Sequence, residues 1–156
     1  VPDMEKTLVI LKPSAILRGF AGEVIRRFEQ KGLMIIGMKM MTLSDEILAE
    51  HYSHLVDKPF FPLLRRSMQL SPVVVMCVKG LEAVEVVRKM TGATKGRKAD
   101  IGTIRGDLCM SGQHNIVHAS DSVENAEIEI RRFFKPEEIF DYKSPLTFML
   151  YADDEI

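Results

Sequence analysis

Two short apolar runs, Thr7–Leu11 and Val73–Val78, restrict the fold of this chain more than any other feature. Apolar runs this short, bounded by breakers, read as buried strands, and they are far too short to cross a bilayer. Lys12-Pro13 stops the first, so Lys12 emerges where the pairing ends. Pro72 opens the second, which reads as Val73 to Lys79, and Gly80 closes it. Such strands need cover, and the segments around them have the spacing to supply it.

Phe20, Val24, Ile25 and Phe28 recur at helical spacing, and Gly32 closes that helix. Leu33 to Leu43 reads as a strand leading to a marked helix start. There Ser44 caps, Asp45 and Glu46 occupy the first turn, and Ile47, Leu48, His51, Tyr52 and Leu55 follow one face until Asp57-Lys58-Pro59. Phe60-Phe61-Pro62 opens a short helix through Met68. Glu82 to Met90 buries Ala83, Val84 and Val87 in a further helix, which turns Arg88 off the buried stripe. Thr91 to His114, rich in Gly, Lys and Arg and without a period, is a loop of the length that usually carries function. A strand Asn115 to Val117, a helix Ser122 to Phe134, a Pro136-led short helix and a polar, acidic-ended tail complete the chain. Without repeats or linkers, the 156 residues read as one domain, 1-156. The element order predicts an α+β fold with a ferredoxin-like βαββαβ core: a four-stranded antiparallel sheet covered by helices, with the long loop before the last strand.

A net charge of −1 provides no global field for nucleic acid or membrane, so any anion site must be local. An RNA-binding sheet would need paired aromatics on its central strands, which here carry aliphatics and methionines. The opening VPDMEK shows no basic region ahead of an apolar stretch, so no secretory signal is expected. Cys77, in an apolar run, and Cys109, in the loop, make no disulfide framework; a cytoplasmic location is the expectation.

The chemistry concentrates around Asn115-Ile116-Val117-His118-Ala119-Ser120-Asp121. His118 ends a short strand signal, Ser120 and Asp121 are both capping residues, and Glu124 completes a capping-box pattern with Asp121. A histidine there is held by backbone on both sides, near the positive end of a helix dipole, and suits a nucleophile for phosphoryl groups. A satisfied core histidine has the same address. A zinc site with His114 and Cys109 lacks a fourth ligand, and His51 with His54 and Glu50 is an equally weak metal set. Phosphoryl transfer also needs donors and cations around three oxygens. Lys12 at a strand end, Arg88 on a helix flank, and Thr94 and Arg105 in the loop supply them, although each alone resembles a solvated side chain. Glu129, at the edge of the stripe Val123, Ala126, Ile130 and Phe133, could orient the histidine or simply face solvent. Phe60 has core as its default, and Gly92–Lys98 lacks the spacing of a phosphate loop.

With these residues laid out, the chain resembles the nucleoside diphosphate kinases. The segment from Asn115 to Asp121 is similar to that family's active-site signature. Lys12-Pro13, Arg18-Gly19, Lys58-Pro59-Phe60-Phe61, Gly102-Thr103-Ile104-Arg105-Gly106-Asp107 and Phe134-Lys135-Pro136-Glu137-Glu138 match as well. The resemblance implies a kinase that moves the γ-phosphate between nucleotides by a ping-pong mechanism through a phosphohistidine on His118, maintaining (deoxy)nucleoside triphosphate pools. In that scheme Arg88, Thr94 and Arg105 hold phosphates, Lys12 and Asn115 contact the sugar hydroxyl, and Phe60 stacks on the base. Tyr52, Ser120 and Glu129 support the histidine, Mg²⁺ rides on the phosphates, and the chain is a homo-oligomer, tetramer or hexamer. The different-class alternative is a nucleotide-binding regulatory protein without turnover; the presence of His118, Arg105 and Lys12 argues against it. Five positions depart from the family pattern: Ser14-Ala15 replaces Asp-Gly, Ala119 the commoner Gly, and Gly96 and Ile101 two loop prolines, and the loop changes bear on loop stiffness and assembly.

Overall fold

The computed structural model describes residues 4–156; the first three residues of the VPDMEK stretch lie outside them. Its sheet has the order β2-β3-β1-β4 with every neighbouring pair antiparallel, where β1 is Glu5–Leu11, β2 Met34–Met41, β3 Val73–Gly80 and β4 Val117–Ala119. This is the ferredoxin-like arrangement expected. The helices are α1 Pro13–Leu17, α2 Ala21–Lys31, α3 Asp45–His51, α4 Phe61–Met68, α5 Ala83–Thr91, α6 Ile104–Leu108, α7 Val123–Phe133 and α8 Thr147–Leu150.

Both faces of the sheet are buried, which is why its central strands have no polar side. Val9, Leu11, Met76, Val78, Val117 and Ala119 pack on Val24 and Phe28 of α2 and Ala83 and Val87 of α5. Leu8, Ile10, Val75 and Cys77 point the other way, onto Leu48 of α3, Met68 of α4 and Phe133 of α7. Side chains alternate along a strand. His118, between Val117 and Ala119 and opposite Ile10 in the register, therefore faces the α3 and α7 layer.

Local signals read as expected at several helix ends. Gly32 is left-handed with φ 99°, and the amides of Gly32 and Leu33 return to Glu29 and Phe28. Ser44 Oγ accepts from the Ile47 amide at 3.1 Å. Others need correction. The last strand runs from Val117 to Ala119 and not from Asn115, because Ile116 has φ 74° and breaks the extended run. That conformation is unfavourable for a β-branched residue. It is held from afar: Ser14 Oγ accepts from the Ile116 amide at 2.9 Å, and Ile116 O accepts from the Lys12 amide at 2.9 Å. Ser14, one of the five departures, thus has a definite task. The cap of α7 is Ser122, whose Oγ accepts from Asn125, rather than Asp121 with Glu124. Ser120 is drawn into the core instead. Helix α3 also stops earlier than expected and tightens into a 3₁₀ turn at Ser53–Leu55.

The tail is not merely polar. Phe140 donates to Ile36 O, Tyr142 Oη to Ile35 O, and Tyr151 Oη accepts from Leu81, so the tail clamps the β2 edge and the end of β3.

The long loop is stapled rather than slack. Arg27 pairs with Asp107 at 2.9 Å, and Asp107 accepts from Gly102 at 2.8 Å. At Gly96 the amide that a proline would lack donates to Ser111 O at 3.1 Å. A Cβ there would lie 2.1 Å from Cys109 O. Gly96→Ala is therefore expected to destabilise the protein by about 1–3 kcal/mol through overpacking, measured as a lowered denaturation midpoint. An unchanged midpoint would show that the loop yields. Ala119 needs no glycine, since its backbone is ordinary strand.

Candidate active site

A cleft of about 760 Å³ opens where β4, α3, α4, α5, α7 and the long loop converge. Lys12, Tyr52, Phe60, Arg88, Thr94, Arg105, Asn115, His118 and Glu129 all line it. Ser120, fully buried, reaches the same site from behind.

His118 is held by a relay. Ser120 Oγ donates to Glu129 Oε1 at 2.7 Å, and the same oxygen lies 2.9 Å from His118 Nε2. Sequence order makes this possible: β4 ends at Ala119, the chain turns at Ser120, and α7 brings Glu129 back over the strand it follows. Burial alone would raise the Glu129 carboxyl, but the hydrogen bond and charge of His118, with Ser120 behind them, outweigh it and hold Glu129 below the usual range. Hydrogen bonds to a charged group contribute about 1.5–3 kcal/mol each, enough to offset partial burial. An ionised Glu129 accepts only, so His118 Nε2 carries the hydrogen, and in the neutral ring Nδ1 keeps the lone pair.

Two of the cations, Lys12 and Arg105, are fixed by hydrogen bonds. Lys12 Nζ donates to Asn115 Oδ1 at 2.7 Å, and Asn115 Nδ2 donates to Thr94 O at 2.9 Å and Gly112 O at 3.1 Å. Asn115, 2 % exposed, is the bracket that ties the β1 end to the loop. Arg105 donates to the carbonyls of Gly92, Asn115 and Val117, fixing the guanidinium between loop and strand. Burial, with Arg105 behind it, lowers the Lys12 ammonium to about 8. Arg88 and Thr94 are exposed on the cleft wall, and Phe60, half exposed, stands at the start of α4. Burial, with Glu129 nearby, pushes the Tyr52 phenol up to about 12, so it keeps its proton.

The zinc set of His118, His114 and Cys109 does not form. Cys109 Sγ turns to the carbonyls of Ser111 and His114, and His114 Nδ1 meets Ser67 Oγ at 3.3 Å. His54 is exposed, whereas His51 is buried, its ring edge-on to that of His118 with centroids 4.7 Å apart. His51 is the site residue that sequence reading underrated. Its signal was a histidine on the buried face of α3 beside Tyr52, but its partners come from β4 and α7. Burial first, then His118 with Arg132 and Lys12 against Glu129, lower His51 to about 3, so its ring is neutral.

The chain can be set against known proteins. The family model described as nucleoside diphosphate kinase matches residues 5–139. A nucleoside diphosphate kinase of Parabacteroides distasonis is 59% identical over 152 residues, 97% of this chain and 99% of that one. One from Pyrococcus abyssi is 52% identical over 143 residues, 90% of each. Among solved structures, a halophilic nucleoside diphosphate kinase from Halobacterium salinarum in complex with CDP superposes with a TM-score of 0.93 at 37% identity, covering 97% of this chain and 100% of that one. A transition-state mimic of the Borrelia burgdorferi enzyme with bound vanadate and ADP gives 0.87 at 35% identity, with 94% and 96% covered.

Proposed function

Because the chain belongs to the nucleoside diphosphate kinase family, we propose that it moves the γ-phosphoryl group of a nucleoside triphosphate to a nucleoside diphosphate in two half-reactions, with His118 carrying the group between them. The Ser120–Glu129–His118 relay carries this reading. In the first half-reaction the Nδ1 lone pair attacks the γ-phosphorus, an N–P bond forms, and the bridging P–O bond breaks with its electron pair leaving on the diphosphate. In the second, a terminal oxygen of another diphosphate attacks and the N–P bond breaks. The Nε2–H stays on Glu129 throughout, and the carboxylate balances the positive charge the ring acquires on phosphorylation. One site serves donor and acceptor in turn, which maintains the (deoxy)nucleoside triphosphate pools.

Arg88, Thr94 and Arg105 hold phosphate oxygens, while Lys12 and Asn115 take the sugar hydroxyl. Tyr52, beside His51 with ring centroids 4.7 Å apart, supports the histidine. Phe60 offers a ring face at the rim, and a ring face stacks on any base. The cleft carboxylates are few: Glu129 is spent on the relay, and Glu50 and Asp121 are exposed. That lining offers no carboxylate cage, and it would fit a Mg²⁺ carried by the nucleotide phosphates. When bound, the ion neutralises charge on the phosphate oxygens. No helix among the described residues is long and apolar enough to cross a membrane. A homo-oligomer, tetramer or hexamer, accounts for the exposed Met38 and Met40 on the edge strand and for Ile101 and Met110 on the loop.

Initial rates with donor and acceptor varied together are expected to give parallel double-reciprocal lines; intersecting lines would mean direct transfer in a ternary complex. Lys12 adds a pH signature. Its ammonium is charged below about 8 and neutral above, so kcat/KM should fall through an alkaline limb near that pH. Lys12→Arg should remove the limb, because the guanidinium stays charged. The effect on stability has the opposite sign. Between about 8 and 10.5 the unfolded chain binds more protons at Lys12, so stability from this group rises while activity falls.

A further inference from the structure

The histidine wall of the cleft has a second property. His51, His118 and Glu129 each bring one potential ligand atom within 4.8 Å of the other two. Two imidazoles and a carboxylate at such spacing are a donor set that borderline divalent ions such as Zn²⁺ and Co²⁺ favour. An ion seated there would tie up the histidine that the transfer reaction needs free. One neighbouring residue opposes it. Arg132 of α7, with a side chain only 14% exposed, places NH1 2.8 Å from His51 Nδ1. An arginine donates and never accepts, so Nδ1 must be the unprotonated nitrogen and Nε2 carries the hydrogen. A neutral imidazole has one lone pair, and here Arg132 takes it. Among the described residues Nε2 has no hydrogen-bond partner, so nothing else decides the tautomer. Glu50 Oε1, 3.4 Å from Arg132 Nε, balances the guanidinium from the solvent side.

We propose that Arg132 is a positioning residue acting through His51: its hydrogen bond to Nδ1 spends that ring's lone pair and keeps the His51–His118–Glu129 cluster from capturing a transition-metal ion. This goes beyond the phosphoryl-transfer reading, and it is tested by metal binding without turnover. With Arg132 gone, the lone pair of His51 is no longer committed, and either ring nitrogen can present it to a metal ion.

The test titrates the nucleotide-free protein with Co²⁺, followed by its visible absorption, and with Zn²⁺ against a chromophoric chelator. Arg132→Leu and Arg132→Met should each bind one ion per chain roughly 10- to 100-fold more tightly than the parent, the range by which a ligand's hydrogen-bond partner moves metal affinity. Arg132→Lys, which keeps a donor, should bind like the parent, and adding His51→Ala to Arg132→Leu should cancel the gain. Equal affinities in the parent and in folded Arg132→Leu or Arg132→Met would overturn the proposal, as would a gain that survives loss of His51. The unmodified protein gives an independent reading: long-range ¹H–¹⁵N correlations should show His51 as the Nε2–H tautomer, and an Nδ1–H tautomer would refute it.

Discussion

His118→Ala is expected to lower turnover on the order of a million-fold, the scale on which loss of a covalent nucleophile is felt, and to leave no phosphoenzyme after incubation with γ-labelled ATP. The side chain sits on the edge strand β4, facing the cleft, so its removal should not unfold the sheet. Glu129 keeps Ser120 as a donor and stays accessible to cleft water, so no unpaired buried charge is created. Nucleotide affinity should hold within a few-fold, because Lys12, Arg88, Thr94 and Arg105 reach the cleft from other elements. A variant that still takes label would assign the nucleophile elsewhere.

Glu129→Gln separates orientation from charge. The amide oxygen can still accept from Nε2 and hold the ring, but the negative charge is gone. At 2.9 Å and an effective dielectric of ~20, the attraction between that charge and a cationic ring is about 6 kcal/mol. Water in the open cleft screens part of it, so a loss of roughly 100-fold in kcat is expected, about 2.7 kcal/mol. Affinity for nucleotide should barely change. Equal losses in rate and binding would make Glu129 a structural residue.

How much of this was legible in the sequence follows the range of the forces involved. The β1, β2 and β3 runs and the α2, α3 and α5 stripes could be read because period and capping act within a few residues. The start of β4 could not. Ile116 is bent by Ser14 and Lys12, more than a hundred positions away in the chain. The cap of α7 was ambiguous for a related reason: Ser120, Asp121 and Ser122 all suit the role, and Ser120 is taken by Glu129 and Leu8. At the site, the predicted residues converge on one cleft, with Ser120 behind it. What sequence alone lacked were the internal bonds. Asn115 reads as a sugar contact, yet its side chain already grips Lys12, Thr94 and Gly112. His51 and Arg132 stand 81 positions apart and meet only in the fold. Of the departures, Ser14 and Gly96 gain hydrogen-bonding tasks, whereas Ile101 is exposed and falls to the subunit contact proposed for the loop.

On the proposed mechanism, Glu129 commits Nε2 of His118 and leaves Nδ1 to attack. Alkaline hydrolysis of the labelled phosphoenzyme, followed by separation of the two phosphohistidine isomers, tests it directly. The relay requires the label on Nδ1; label on Nε2 would contradict it, because that nitrogen must keep its hydrogen on Glu129.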